Sequence, residues 1–252
     1  MGDGGHQERC NPMSGFNIAE VLDEAWSLTK RQYWHWLLVI VVAIAIPVAI
    51  IVVGVLAAIA VPALGGIVIL IGILGFFYTF LGLLRNAYNS SEGAKPSVGV
   101  LLRSDRFWWF LVGGAIYIGI VVIGLFALII PGLIFGFMFA LFPFALIGRP
   151  GTTGIGALAH SWELITTAFW RYIGLRVVLF GTTVALAVVG AVVQGVFSAV
   201  AGDSDIGAIT AILLVVGAVI AIFINVFIAA FTYLADALAY RRLAGDGEVI
   251  RP

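Results

Sequence analysis

The stretch Leu37–Leu84, LLVIVVAIAIPVAIIVVGVLAAIAVPALGGIVILIGILGFFYTFLGLL, runs for 48 residues without an Asp, Glu, Lys or Arg. A helix crosses about 30 Å of hydrocarbon with about 20 residues, so this run is too long for one crossing and sufficient for two. Near its midpoint Val61-Pro62-Ala63-Leu64-Gly65-Gly66 supplies the residues that break helices. The stretch reads as a helical hairpin in a membrane, with spans at 37–61 and 63–84.

Two further runs repeat the pattern. Residues 107–148 lack the same four residue types, and 177–235 contain only Asp203 and Asp205. Pro131-Gly132 divides the first of these and Gly202-Asp203-Ser204-Asp205 the second, which places spans at 107–130, 133–148, 177–201 and 206–235. The fourth span holds 16 residues, about 24 Å at 1.5 Å per residue. It crosses fully only by borrowing the Pro-Gly turn or by thinning the bilayer. The expected fold class is all-α, a polytopic membrane protein with six transmembrane helices in three hairpins. Composition agrees, because 62% apolar residues, 10% charged residues and a mean hydropathy of +1.15 lie outside the range of a soluble domain.

The basic residues set the expected orientation. Arg9, Lys30 and Arg31 precede the first hairpin; Arg85, Lys95, Arg103 and Arg106 follow it; Arg149, Arg171 and Arg176 follow the second; Arg241, Arg242 and Arg251 follow the third. All 13 fall on one side and the three opposite turns have none. Since Lys and Arg in short loops stay in the cytosol, both termini are expected inside, in a cytoplasmic (inner) membrane. The first apolar run is too long for the core of a signal peptide, so the first span is expected to stay as an anchor. The organisation is then a tail at 1–15, a transmembrane domain at 16–235 and a cytosolic tail at 236–252.

Within that domain three units recur, at 16–84, 97–148 and 155–235. Each hairpin is preceded by an amphipathic segment. In Ile18–Arg31, Ile18, Val21, Leu22, Ala25 and Trp26 recur at helical spacing opposite Glu20, Asp23, Glu24, Ser27 and Lys30, with Asn17 as the cap. In Ile155–Ala168 the pattern returns, and the two align at an offset of 136: Leu22 with Leu158, Trp26 with Trp162, Leu28 with Leu164, Tyr33 with Phe169, Trp34 with Trp170. A weaker copy is Val98–Phe110. These segments are expected as interfacial helices on the cytosolic side. All seven tryptophans, Trp26, Trp34, Trp36, Trp108, Trp109, Trp162 and Trp170, fall in or beside them, which marks an aromatic belt at one interface.

Ile130-Pro131-Gly132-Leu133-Ile134-Phe135, Phe142-Pro143-Phe144-Ala145-Leu146, Ala157-Leu158-Ala159-His160-Ser161-Trp162-Glu163-Leu164 and Phe169-Trp170-Arg171 together resemble a group of uncharacterised prokaryotic membrane proteins. That group includes the YciC-like proteins and the membrane domain attached to some glycerophosphoryl diester phosphodiesterases. The resemblance implies a prokaryotic membrane protein; it does not carry the phosphodiesterase, which belongs to a separate soluble domain.

Catalytic chemistry has little to stand on. No Asp, Glu, Lys, Arg or His falls inside the six spans so drawn, which argues against proton relays and charged ion pathways. His6, His35 and His160 have no ligand spacing, so no metal is expected, and no motif calls for a cofactor. Gly154-Ile155-Gly156-Ala157-Leu158-Ala159 looks like a dinucleotide loop but follows a membrane span instead of a strand. Glycines such as Gly65, Gly72, Gly75, Gly124, Gly132 and Gly136 are expected at helix contacts. Gln194 and Asn225 are the deepest amides, and each is expected to make its own interhelical hydrogen bond.

These features favour a non-catalytic protein, an accessory or scaffold acting on lipid or a partner at the inner leaflet. A small transporter or lipid-translocating protein is the alternative. An enzyme acting on headgroups would have to use Glu20, Asp23, Glu24, His160 or Glu163. Expected partners are the bilayer and its inner-leaflet headgroups, with a membrane-protein partner or a second copy of the chain, and no nucleic acid, since net charge is zero. In intact cells a membrane-impermeant thiol reagent should miss Cys10, the single cysteine, while Ser204→Cys in a Cys10→Ser background should react. Labelling of Cys10 in sealed cells would reverse the orientation.

Overall fold

A computed structural model describes residues 17–103, 105–202 and 207–245, and among them every regular element is a helix. In chain order these are α1 (Ile18–Ala60), α2 (Pro62–Ser91), α3 (Val98–Leu101), α4 (Phe107–Ala127), α5 (Ile129–Met138), α6 (Phe142–Gly148), α7 (Gly154–Thr167), α8 (Phe169–Gly202) and α9 (Gly207–Ala244). Six segments are long and apolar enough to cross a membrane, with α5 and α6 together forming the fourth, Ile129–Gly148. That pair accounts for the shortness expected of the fourth span: the chain turns at Leu128, three residues before Pro131, and the segment reaches 20 residues but is broken between Met138 and Phe142.

The turns are tight. Val61 alone links α1 to α2, in an extended conformation that precedes Pro62 at the start of α2; there the missing N–H of proline costs nothing. Leu128 alone links α4 to α5. Cys10 and residues 203–205 of the third turn lie outside the described residues. Arg242 at the end of α9 forms ion pairs with Glu20 and Glu24 at the start of α1, at 3.0 and 2.8 Å. Both described ends therefore share one side, called here the terminal side.

The amphipathic segments differ from expectation. Ile18–Arg31 is not a separate helix at an interface but the first turns of α1, which runs unbroken for 43 residues, about 65 Å. Its apolar stripe, Val21, Ala25 and Leu28, is buried within the protein core together with the end of α9. The third-unit copy is a distinct helix, α7, separated from α8 at Ala168, and Ala157, Leu158, Leu164 and Ile165 on it are likewise buried. The middle copy shrinks to the single turn α3. The stripe in the sequence marks a buried face, and the neighbouring helices rather than lipid bury it.

The first and third units match beyond the sequence repeat. At the offset of 136, Trp36 corresponds to Tyr172, Val39 to Leu175 and Ala43 to Leu179, all fully or almost fully buried. An offset of 152 relates α2 to α9: Ala87 to Ala239 and Tyr88 to Tyr240, whose rings lie 6.3 Å apart. α9 runs on past residue 235 to Ala244, and Ala237, Leu238, Ala239 and Tyr240 are buried, so this part of the expected C-terminal tail is core.

Broken backbone is repaired by hydroxyls, as lipid requires. Pro47 in α1 has no N–H for the carbonyl of Ala43, and the Thr79 hydroxyl on α2 donates to that oxygen at 2.9 Å. Where α5 stops, the Ser161 hydroxyl on α7 donates to the Met138 carbonyl at 2.9 Å. Arg106 Nη1 lies 3.0 to 3.3 Å from the carbonyls of Leu146, Arg149 and Thr152 and so holds the end of α6. Beside it Arg85 pairs with Asp105. Partial burial raises the carboxyl of Asp105, but the hydrogen bond and charge of Arg85 outweigh this and hold it below its ordinary value.

Small residues set how close α1 and α2 come. A Cβ on Gly65 would lie 2.3 Å from Ala58 Cβ, and one on Gly72 2.5 Å from Ile51. Gly124 and Gly132 meet in the same way between α4 and α5, whereas Gly75, Gly119 and Gly136 have room. Gly65→Ala should lower the unfolding midpoint in mild detergent, equivalent to about 1 to 3 kcal/mol of overpacking. Gly66→Ala, with nothing within 4 Å, should leave it in place; equal effects would mean that the hairpin does not pack through Gly65.

Candidate functional site

Between the α4–α5 hairpin and the helices α2, α6 and α9 lies a cavity of about 690 Å³, within the size range of ligand sites. Phe110, Leu111, Ile118, Val121 and Leu125 of α4 form one wall, Leu133 and Phe137 of α5 with Phe139 just after it another, and Phe77 and Phe80 of α2 a third. Ile118, Leu133 and Phe77 are exposed, so the cavity is not sealed from its surroundings. Gly114 and Gly136 widen it, because neither would bring a Cβ closer than 4.0 Å to a neighbour. The Tyr117 hydroxyl ties α4 to α5 by donating to the Gly136 carbonyl at 3.3 Å.

Its charged groups lie together, about two turns from the start of α8 and from the end of α9. Arg176 of α8 and Asp236 of α9 reach it with Tyr233, and Arg176 Nη2 stands 3.2 Å from Asp236 Oδ1. The two side chains are 21% and 9% exposed, so this ion pair is mostly out of contact with solvent. Arg176 is positioned from behind by Tyr172, one turn earlier on α8 and fully buried: Nε donates to the Tyr172 hydroxyl at 2.8 Å. Tyr233 and Asp236 are three apart on α9 and share a face.

Reading the spans from charge alone misses this pair, because Arg176 and Asp236 each sit one residue beyond the run 177–235, whose only charges are Asp203 and Asp205 in its turn, and look like its ends. In the structure both belong to segments long and apolar enough to cross a membrane, Phe169–Val196 and Val215–Ala244. The signal available was the repeat. Under the two offsets Arg176 corresponds to Ile40 and Asp236 to Leu84, both buried and apolar. One unit of the fold therefore manages with hydrocarbon where the other holds two charges.

The tryptophans divide into three groups. Trp34, Trp108 and Trp170 are the most exposed, and Trp109 is also exposed, as suits a surface belt. Trp26 and Trp162 are partly covered at equivalent positions, the first edge-on to Phe227 and Phe231, the second against Phe135 and Phe139. Trp36 is fully buried and belongs to the core instead of the interface. None of the seven lines the cavity.

The amides also part company. Asn225 is exposed and donates to the Ala221 carbonyl of its own helix at 2.8 Å, with no interhelical hydrogen bond among the described residues. Gln194 Oε1 is buried without a hydrogen bond among the described residues. His160 is buried near the Tyr240 ring, with Nδ1 3.9 Å from Glu163. Glu20 and Glu24 are occupied by Arg242, and the described residues hold no cluster of metal-ligating side chains. No model of a known family, no curated protein and no solved structure matches this chain.

Removing one partner of a buried ion pair strands the other, at a cost of about 3 to 5 kcal/mol, whereas replacing both with apolar residues is often neutral. Arg176→Ile and Asp236→Leu should each lower the unfolding midpoint strongly, and the double variant, copying Ile40 and Leu84, should recover most of the loss. Additive losses in this double-mutant cycle would show that the two charges do not depend on each other.

Proposed function

We propose that this chain is a non-catalytic membrane protein that holds a lipid-like molecule in the cavity beside α4 and α5, in the leaflet on its terminal side. The observation that carries this is the distribution of polarity: apolar walls throughout and a charged pair at one end only. An amphiphile has that distribution, a head at interfacial depth and a chain toward the bilayer centre. A pathway for polar solutes needs partners along its length, and the walls from Phe110 to Leu125 offer aliphatic and aromatic side chains with the Tyr117 hydroxyl engaged.

The terminal side is taken as cytosolic, from the partition of basic residues. The membrane is taken as a prokaryotic cytoplasmic membrane through the resemblance to the YciC-like group. The exposed Trp34, Trp108 and Trp170 suit anchoring at that leaflet, and an accessory role, in which the held molecule is presented to a partner, fits better than catalysis. Lipid translocation stays the second possibility, favoured by an opening beside the exposed Ile118 and Leu133.

Gly114→Leu places a side chain in the cavity where a Cβ meets only Phe142, at 4.0 Å. Native mass spectrometry of protein extracted directly from membranes should find one amphiphile retained by the natural chain. Gly114→Leu, with its unfolding midpoint unchanged, should lose it. Equal retention by both proteins would place the lipid elsewhere.

A further inference from the structure

The charged end of the cavity is neutral overall, yet it is short of hydrogen-bond donors. A carboxylate offers about four lone-pair positions, and Asp236 fills none with a hydrogen bond from the described residues: its contact with Arg176 is electrostatic, and Oδ1 is buried with no hydrogen bond. Arg176 is already committed through Nε to Tyr172 and through Nη2 to Asp236. Tyr233, on the same face of α9, has a hydroxyl without a partner among the described residues, its ring resting against Phe80. In surroundings this apolar an acceptor without donors is costly, and packing does not demand it, since Ile40 and Leu84 fill the matching positions of the first unit.

The chemistry that completes this end has three properties. It brings a donor to Asp236, it brings an acceptor for the Tyr233 hydroxyl or for the remaining N–H groups of Arg176, and it brings no net charge. An anionic head would be attracted by Arg176 and repelled by Asp236 from nearly the same distance, and a cationic head the reverse, while either would lose its own hydration. An alcohol is donor and acceptor in one group, and an O–H donated to a carboxylate is among the stronger hydrogen bonds.

We propose that Asp236, Tyr233 and Arg176 form a headgroup site for an uncharged, hydroxyl-bearing amphiphile, such as a single-chain glyceride or a long-chain alcohol, whose chain lies along α4 and α5. The head donates a hydroxyl to Asp236 and accepts from Tyr233 or Arg176; Tyr172 acts only by positioning Arg176. This rests on the cavity holding an amphiphile at all, and the test separates the two.

The full chain, reconstituted in phosphatidylcholine nanodiscs, is exposed to three probes that carry the same diazirine-bearing acyl chain: a monoacylglycerol, a free fatty acid and a lysophosphatidic acid. Crosslinks are mapped by mass spectrometry. The monoacylglycerol should label the α4 and α5 walls about tenfold more than either charged probe, the worth of one charge-assisted hydrogen bond. The double variant Arg176→Ile, Asp236→Leu should label those walls with all three probes alike. Tyr233→Phe, which keeps the ion pair, should reduce the preference severalfold without changing the labelled peptides. Equal or stronger labelling by a charged probe in the natural chain, or a preference that survives in the double variant, would overturn the headgroup assignment while leaving the cavity as a chain site. Absence of wall labelling by every probe would overturn both.

Discussion

The C-terminal half of α9 is the surface on which the rest of the bundle is assembled. Ala230, Ala235, Ala237 and Ala239 on this helix are fully buried, and side chains this small let neighbouring backbones approach where lipid offers no hydrophobic drive between helices. α1, α2, α6, α7 and α8 all touch α9. Tyr240 fills the space among them, its ring near Tyr88 of α2, Phe144 of α6 and His160 of α7. The ion pairs of Arg242 with Glu20 and Glu24 then fix the rotation of α1 against α9 at their common end. The α4–α5 hairpin does not reach this helix in the same way. It is held at its terminal-side end by α6, α7 and Arg106, and the cavity is the space left where it stands away from α2 and α9.

How the hairpin stands away follows from where its backbone is interrupted. α5 ends at Met138, the chain turns through Phe139 to Leu141, and α6 resumes with Pro143 in its first turn, a position proline tolerates. The freed Met138 carbonyl is satisfied by Ser161. A continuous fourth helix would have no such offset. Here α6 lies in the core with Phe142, Phe144, Ala145 and Leu146 buried, while Ile129, Ile130, Leu133 and Ile134 of α5 face outward. The broken span is therefore what allows one end of the segment to be core and the other a cavity wall.

The all-helical class, the number of helices long and apolar enough to span and the small residues at Gly65, Gly72, Gly124 and Gly132 could be read from composition and chain breakers, because lipid permits so few backbone solutions. Two things could not. An amphipathic stripe records that one face is apolar; it does not record what covers it, and Val21, Ala25 and Leu28 are covered by protein. A charge at the edge of an apolar run looks the same whether it ends a span or is carried into it by a partner. Arg176 and Asp236 lie 60 residues apart, and only the fold brings them to 3.2 Å. Asn225 shows the same limit from the other direction: an isolated amide suggests a neighbouring helix, but its nearest acceptor is the carbonyl one turn back on its own helix, at 2.8 Å.

The correspondence between the first and third units bears on why the charges are there. Two units that share buried aromatic positions, Trp36 with Tyr172 and Tyr88 with Tyr240, present nearly the same packing problem. The first solves it with Ile40 and Leu84, which need no partner and lose nothing on leaving water. In the third, Arg176 and Asp236 must each be desolvated, and their mutual attraction recovers this loss only when geometry and hydrogen bonding are good. The hydrogen bonding of Asp236 is incomplete among the described residues. A pair chosen for stability would be better satisfied or replaced by hydrocarbon, as its counterpart is. Placed instead on the lining of an apolar cavity, next to a tyrosine hydroxyl with no hydrogen bond among the described residues, the shortfall has the form of a site that awaits a hydroxyl from outside the chain.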